Sequence, residues 1–331
     1  MARWLLGLVV LVLAGCGPTT VVVGIGPGDR SLTETVVVDE SARRVKVAMI
    51  DVTGVIVNAR RDGLLQQGSN PVAELHEQLA RAATDDRVKG VVLRINSPGG
   101  SVTASRMMHD EVRLFRERTG KPVVVVMMDV AASGGYYVAC AADRIVAYPS
   151  TITGSIGVIM QTVSLKPALD RWGITATTIR SGEIKGAGSP LDTLTAEQRE
   201  VFEGMIEAFH EQFVAAVDAG RAGLDRETIN RLADGRVYTG GQAAELGLVD
   251  ETGDLYLAFE RAKGLAGVES ADLVLYHRPL DYVAAPYAGA SEASGGGGTT
   301  VNLLSVDLGE SMGGVGAPVM FGYLWSVDGF E

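Results

Sequence analysis

Short apolar runs that alternate with helical patterns constrain the fold of this chain more than any other feature. The runs at residues 45–52, 88–95 and 123–128 are rich in Val and are predicted to be buried strands. The segments 71–83 and 104–117 between them have the apolar spacing of amphipathic helices. Strands that alternate with helices predict an α/β fold with largely parallel pairing.

The composition argues against several classes of protein. The 331 residues carry a formal net charge of −11, and only 6% of them are aromatic, so the basic surface and the base-stacking platforms of a nucleic-acid-binding protein are not expected. The glycine-rich stretches lack the Gly-Lys-Ser/Thr of a P-loop and the spacing of a dinucleotide fingerprint. The sequence contains no metal-ligand cluster, and no cofactor is expected.

The N-terminus has the features of an export signal. Arg3 precedes an apolar run at residues 5–13, which is shorter than the roughly 20 residues of a bilayer span but suits a signal-peptide core. The sequence Leu13-Ala14-Gly15-Cys16 resembles the lipobox of bacterial lipoproteins. That resemblance implies an exported protein whose mature chain begins at a lipidated Cys16 and is held on the extracytoplasmic, or periplasmic, face of a membrane. The alternative is an uncleaved anchor with an incidental cysteine.

These patterns divide the chain into four predicted parts. Residues 1–15 are a lipoprotein signal peptide, 16–44 a lipidated N-terminus and spacer, 45–285 the folded domain, and 286–331 a Gly-rich linker with an apolar C-terminal tail. Within the domain, Cys140 lies in an Ala-rich apolar stretch and is interpreted as a small buried hydrophobe.

Ser133 is the candidate nucleophile. It lies in Ala131-Ala132-Ser133-Gly134-Gly135, between a predicted strand and a predicted helix at 136–142. Free N–H groups at a helix N-terminus favour developing negative charge, so a serine there can attack a carbonyl while neighbouring N–H groups hold the oxyanion. The glycines at 99–100, which follow another strand, could bring a second N–H alongside. The alternative for Ser133 is an ordinary helix N-cap.

A nucleophilic serine needs a base, and none of the histidines lies in a loop beside a glycine-rich turn. Three lie within helical patterns and one near the end of the domain: His76, His109, His210 and His277. Lysine can replace histidine where burial lowers its pKa. Lys185 lies in a loop of small residues after a strand predicted at 176–179. A solvated loop lysine is the alternative.

Four motifs in this order resemble those of signal peptide peptidase A, a bacterial Ser/Lys protease family. The resemblance covers about residues 45–275, and the Ser133–Lys185 spacing is typical of the family's short single-domain members. The motifs are Ser97-Pro98-Gly99-Gly100, Ala132-Ser133-Gly134-Gly135-Tyr136, Thr153-Gly154-Ser155-Ile156-Gly157-Val158, and Lys185 with Ser189-Pro190.

The resemblance implies a Clp-protease/crotonase-like α/β fold with repeated strand–strand–helix units. It makes Ser133 the nucleophile, Lys185 the general base and Ser155 the residue that orients the lysine. Gly100 and Gly134 would supply the N–H groups that bind the oxyanion. Because Gly99 is adjacent to Gly100, it is the alternative donor from this turn. No metal or cofactor takes part.

The resemblance also implies substrates and partners. The expected activity is serine endopeptidase cleavage of signal-peptide remnants and other short hydrophobic peptides at a membrane, by a homo-oligomeric ring. The apolar tail at 317–325 is a candidate partner for a neighbouring subunit or its substrate groove. Two alternatives remain: a catalytically inactive scaffold lipoprotein of the same fold, and a crotonase-type acyl-CoA enzyme.

Overall fold

The computed structural model describes residues 31–42, 44–59, 70–278, 285–287 and 321–324. The described strands are β1 (Thr33–Val38), β2 (Lys46–Thr53), β3 (Val88–Ser97), β4 (Gly99–Ser101), β5 (Val123–Ala132), β6 (Arg144–Ala147), β7 (Ile152–Gly154), β8 (Ile159–Met160), β9 (Val237–Thr239), β10 (Glu251–Thr252), β11 (Asp272–His277) and β12 (Phe321–Leu324). The described helices are α1 (Pro71–Thr84), α2 (Val102–Thr119), α3 (Gly134–Ala139), α4 (Lys166–Arg171), α5 (Ala196–Gly220), α6 (Arg226–Leu232), α7 (Gly240–Glu245) and α8 (Leu255–Leu265).

The strands form two sheets. The larger sheet has the order β1-β11-β2-β3-β5-β6-β10, and β7 extends it by pairing with the end of β5 and with β9. From β11 to β10 all neighbours in this order run parallel, whereas β1 is antiparallel to β11. The smaller sheet has the order β4-β12-β8.

Helices cover both faces of the large sheet. On one face, α1, α2 and α3 pack against β2, β3 and β5 through side chains such as Leu75, Val112 and Tyr136. On the other face, α8 packs through Phe259 and Ala262. Strands buried on both faces must be apolar along their whole length, which explains why these runs read as continuous Val-rich segments.

The predicted α/β architecture with parallel pairing is confirmed, but one predicted strand is wrong. Residues 176–179 are irregular, and the side chain of Ile179 is 96% exposed. This Ala-Thr-Thr-Ile segment has no neighbouring strand to pair with in the described part of the chain, so its β-prone composition alone does not make it a strand. None of the helices that the structure describes combines the length and hydrophobicity of a bilayer span.

The N-terminal strand β1 lies inside the segment predicted to be a spacer. It pairs residue by residue with β11 from Thr33↔His277 to Val36↔Val274. Residues 33–38 therefore form an edge of the large sheet. The division of the chain into four parts otherwise stays a prediction.

Candidate active site

Ser133 stands at a sharp turn between strand β5 and helix α3. Its backbone has φ 52° and ψ −118°, a conformation that costs a non-glycine residue about 1–3 kcal/mol and persists only where surrounding contacts enforce it. Two backbone hydrogen bonds do so: the Ser133 N–H donates to the Gly154 carbonyl at 2.8 Å, and the Ser133 carbonyl accepts from the Tyr137 N–H at 2.9 Å. A strained strand–turn–helix junction of this kind presents a nucleophilic serine in other hydrolases.

The hydroxyl of Ser133 does not act as a helix cap. An N-cap residue normally has extended φ/ψ, and its side chain accepts an N–H from the first turn. Ser133 has neither property within the described structure, because it makes no side-chain capping bond to α3 and its φ is positive. The geometry thus favours the nucleophile over the N-cap interpretation of this buried residue.

The glycines after Ser133 allow the neighbouring chain to approach closely. A methyl group on Gly134 would lie 2.3 Å from Oγ of Ser105 and 3.1 Å from the backbone nitrogen of Gly100, and one on Gly135 would lie 2.8 Å from the Ser97 carbonyl oxygen. The start of α3 is therefore pressed against the β3–β4 junction, and only glycine fits at both positions.

The β3–β4 junction directs the backbone N–H of Gly100, and not that of Gly99, toward Gly134. The Gly99 N–H donates to the Ser97 hydroxyl at 3.1 Å. The Ile56 N–H donates to the Gly99 carbonyl at 2.7 Å, and the Ile56 carbonyl accepts from the Ser101 N–H at 2.8 Å. Because successive residues of a strand direct their polar groups to opposite edges, the N–H and carbonyl of Gly100 face away from Ile56. The Gly100 N–H thus lies beside Gly134, and the role of the two N–H groups as an oxyanion hole stays a prediction.

Strand β7 brings Ser155 next to Ser133. Its residues pair in parallel with β5, and Gly154 is the partner of Ala132, so the two serines follow paired residues on strands about 4.8 Å apart. Ser155 is buried, has φ 50°, and its N–H donates to the Arg236 carbonyl at 2.8 Å. The structure thus places Ser155 beside the candidate nucleophile, and its role in orienting Lys185 stays a prediction.

Lys185 lies in a turn-rich segment, and its side chain is exposed. Among the described residues it forms no ion pair, and the nearby Glu183 is also exposed. The burial expected from the small neighbours of Lys185 is wrong for the single chain, because these residues provide too little surface to cover a lysine.

In the described part of the chain, each of the four histidines contacts residues other than Ser133. His76 contacts Glu111, His210 contacts the Ala233 carbonyl, and His277 contacts Thr33 and Thr35. The ring of His109 packs edge-on against Tyr137 at 5.1 Å. Burial of that ring lowers the pKa of His109.

Comparisons with known proteins show which proteins this chain is similar to. Residues 116–269 match the model of peptidase family S49, and residues 45–153 match that of Clp protease. A putative signal peptide peptidase SppA of Enterococcus faecium is 32% identical over 79% of this chain and 75% of its own length. A putative protease of Methanocaldococcus jannaschii is 37% identical over 65% and 68%, and the chloroplastic serine protease SPPA of Arabidopsis thaliana is 35% identical over 71% and 35%.

The chain belongs to peptidase family S49. This is the signal peptide peptidase A family, and the parallel α/β sheet with the Clp-protease match shows the expected Clp-protease/crotonase-like fold. The protein is thus a serine peptidase of family S49. This membership argues against the alternative of a crotonase-type acyl-CoA enzyme.

Two cysteines were singled out from the sequence of this S49 peptidase. Cys140, at the end of α3, is buried, as predicted, and its burial raises the pKa of its thiol to about 12. Cys16 lies outside the described residues, and its lipidation stays a prediction.

Sequence reasoning missed three supports of the site. Ile56 fixes the edge of β4 to which Gly100 belongs, the buried Ser105 donates to the Ser101 carbonyl at 3.0 Å, and Arg236 holds Ser155. Ile56 lies in no recognisable motif, and Arg236 is distant in sequence. Only Ser105, a polar residue among apolar helix positions, carried a signal.

Proposed function

We propose that this S49 peptidase is an endopeptidase in which Ser133 is the nucleophile and Lys185 the general base. The observation that carries the proposal is the strained, uncapped turn at Ser133, flanked by the Gly100 and Gly134 backbone. Strain of this kind is kept at functional sites because it fixes a reacting group in place.

The chemistry follows from these positions. The neutral amine of Lys185 accepts the proton of the Ser133 hydroxyl, and Oγ attacks the peptide carbonyl. The N–H groups of Gly100 and Gly134 donate to the oxyanion. The lysine returns the proton to the leaving amine, and water then hydrolyses the acyl-enzyme with the same base. Ser155 accepts or donates a hydrogen bond that holds the amine in place.

The substrates are short, extended and apolar peptides such as signal-peptide remnants. Strands β4 and β8 flank the Ser133 and Ser155 turns in sequence, and an extended peptide can pair with such strands through its backbone. The net charge of −11 disfavours acidic peptides. A peptide library incubated with wild type and with Ser133→Ala tests this. Cleavage in unstructured apolar segments by wild type alone is expected, and a preference for Lys, Arg or folded proteins would contradict it.

A homo-oligomeric ring completes the site by covering Lys185. The segment between β8 and α5 exposes large apolar side chains that a monomer would leave in water: Val163, Leu165, Trp172 (73% exposed), Ile174 and Ile179. Large exposed apolar side chains concentrated in one segment are typical of interaction surfaces, and a neighbouring copy would remove both these side chains and Lys185 from solvent. Trp172→Asp is expected to dissociate the assembly in light scattering and to lower activity. Leu265→Asp, at the exposed end of α8, is the control that should do neither.

The membrane anchor is a lipid on Cys16. The proposal rests on Leu13-Ala14-Gly15-Cys16. Palmitate labelling of the wild-type protein and its loss in Cys16→Ser would support an exported lipoprotein. Membrane-bound wild type without label would contradict the lipid anchor.

A further inference from the structure

Strand β5 carries a bulge just before it reaches the candidate nucleophile. Its pairing with β3 passes from Ile95↔Met127 to Ser97↔Ala131, so β3 advances by two residues where β5 advances by four. The surplus residues 128–130 form the β5 bulge, and a bulge bends its strand and re-aims the residues that follow. Before the bulge β5 pairs with β6, and after it with β7. The bulge therefore sets the direction in which β5 delivers the nucleophile.

Side chains supply the hydrogen bonds of the β5 bulge. The Val130 N–H donates to the side-chain oxygen of Asn96 at 3.2 Å. The buried hydroxyl of Thr151 lies 3.0 and 2.6 Å from the carbonyl oxygens of Met127 and Met128. Because a buried backbone group without a partner is costly, these contacts from two sides hold the bulge in one geometry.

Asn96 also belongs to the other half of the site. Its backbone carbonyl accepts the Gly54 N–H at 2.9 Å. The next residue, Ser97, donates its hydroxyl to the Gly54 carbonyl at 2.7 Å and accepts the first N–H of the glycine turn at 99–100. The backbone of Asn96 is thus fixed to the strand that leads to the oxyanion turn, whereas its side chain is fixed to Val130, three residues before the nucleophile.

We propose that Asn96 is a positioning residue that sets the separation between the Ser133 hydroxyl and the Gly100 N–H. This inference rests on the proposed function of Ser133. The substrate carbonyl must meet the attacking oxygen and the oxyanion donors at the same time. Backbone pairing holds β3 and β5 in register up to the bulge, and across the bulge the side-chain oxygen of Asn96 takes over that task. Asn96 acts through the two strands and not on the reacting atoms.

Steady-state kinetics of full-length variants test this role. Asn96→Leu has nearly the same shape but lacks the acceptor, and it should lower kcat by about 10²-fold, the effect of a small misplacement of reacting groups, with little change in KM. Asn96→Asp keeps an acceptor oxygen and should retain most of the wild-type kcat. Thr119→Val is the control for lost stability. It removes a hydroxyl bond to the Phe115 carbonyl at the far end of α2 and should keep the wild-type kcat.

A peptide aldehyde provides a readout that a merely structural role would not move. Oγ of Ser133 adds to the aldehyde carbon, and the hemiacetal oxygen occupies the oxyanion site, whereas the matching peptide alcohol binds without a covalent bond. Asn96→Leu should weaken the aldehyde by about the same factor as kcat, roughly 10²-fold, and leave the affinity for the alcohol unchanged. Thr151→Val releases the bulge from its other side and should change both quantities in the same direction.

The outcomes separate this inference from the proposed function. If wild type cleaves peptides through Ser133 while Asn96→Leu keeps its kcat and its aldehyde affinity, the positioning role is overturned and the proposed function stands. Equal losses in Asn96→Leu and Asn96→Asp, alcohol binding that weakens in step with the aldehyde, or failure of both Asn96→Leu and Thr151→Val to fold would overturn it as well. A folded wild type that cleaves no peptide would overturn both.

Discussion

The backbone N–H of Ser133 donates a 2.8 Å hydrogen bond to the carbonyl oxygen of Gly154. This bond continues the parallel pairing of β5 and β7 by one residue beyond Ala132 and Gly154. It therefore ties the turn that carries Ser133 to the turn that carries Ser155. Ser133 and Ser155 have almost the same φ, 52° and 50°. Because the two turns are joined in this way, a displacement of one turn is expected to displace the other.

Gly100→Ala is expected to lower kcat/KM by roughly 10²–10³-fold, the cost of losing one oxyanion donor. The added methyl group would lie 1.9 Å from the Ile56 carbonyl oxygen, so β4 must move and carry the Gly100 N–H with it. The control is Gly204→Ala in α5, where the methyl group meets nothing within 4 Å. Equal activity of the two variants would show that the Gly100 N–H has no role.

Ser155→Gly and Ser155→Ala should separate the function of the hydroxyl from the strain of the backbone. Both remove the group proposed to orient Lys185, so both should lower kcat/KM by about 10²-fold, a cost typical of a misplaced catalytic group. Glycine tolerates a φ of 50°, so Ser155→Gly should be about 1 kcal/mol more stable to denaturant than Ser155→Ala. Full activity in either variant would remove Ser155 from the mechanism.

Lys185→Arg should lower kcat/KM by roughly 10²–10⁴-fold, the contribution of a positioned general base, because arginine keeps its proton. Lys166→Arg is a matched control, since Lys166 is an exposed lysine of the same region that pairs with Asp170. Near-normal activity of Lys185→Arg would mean that another group is the base.

The ionised carboxylate of Asp85 is expected to stabilise the protein at neutral pH, and this contribution should be lost in acid. The hydrogen bond from the Arg87 side chain, aided by Lys46, holds the pKa of Asp85 below its ordinary value of 3.8. Since the folded-state pKa is the lower one, this contribution is present at neutral pH and is lost as the pH falls below about 4. Melting temperatures between pH 6 and 3 should fall less steeply for Asp85→Asn than for wild type. Asp86→Asn, next to it and exposed, should follow wild type, and parallel curves for all three proteins would contradict the assignment.

The sequence was sufficient for the strands and glycines that carry the site. Buried strands such as β3 and β5 are Val-rich along their whole length, and Ser133 lies in a motif whose glycines have a steric cause that the structure makes explicit. Local pattern and tertiary environment agree at these positions, which is why they could be predicted.

The remaining features depend on contacts between distant segments. Strand β12 forms only because β4 and β8 offer free edges, and Ile56 matters only because it takes up one edge of β4. The prediction of a strand at residues 176–179 is wrong for the opposite reason, since a β-prone segment without a neighbouring strand stays irregular. The environment of Lys185 cannot be read from its small neighbours, because glycine and alanine cover little surface.

Covalent labelling with a fluorophosphonate, followed by mapping of the modified residue, tests the central claim most directly. The reagent reacts with an activated serine and with few others, so it reports nucleophilicity without requiring a known substrate. We predict a single modification on Ser133, its absence in Ser133→Ala, and much slower labelling in Lys185→Arg. A label on another serine, or none on a folded wild-type protein, would contradict the assignment of Ser133 as the nucleophile.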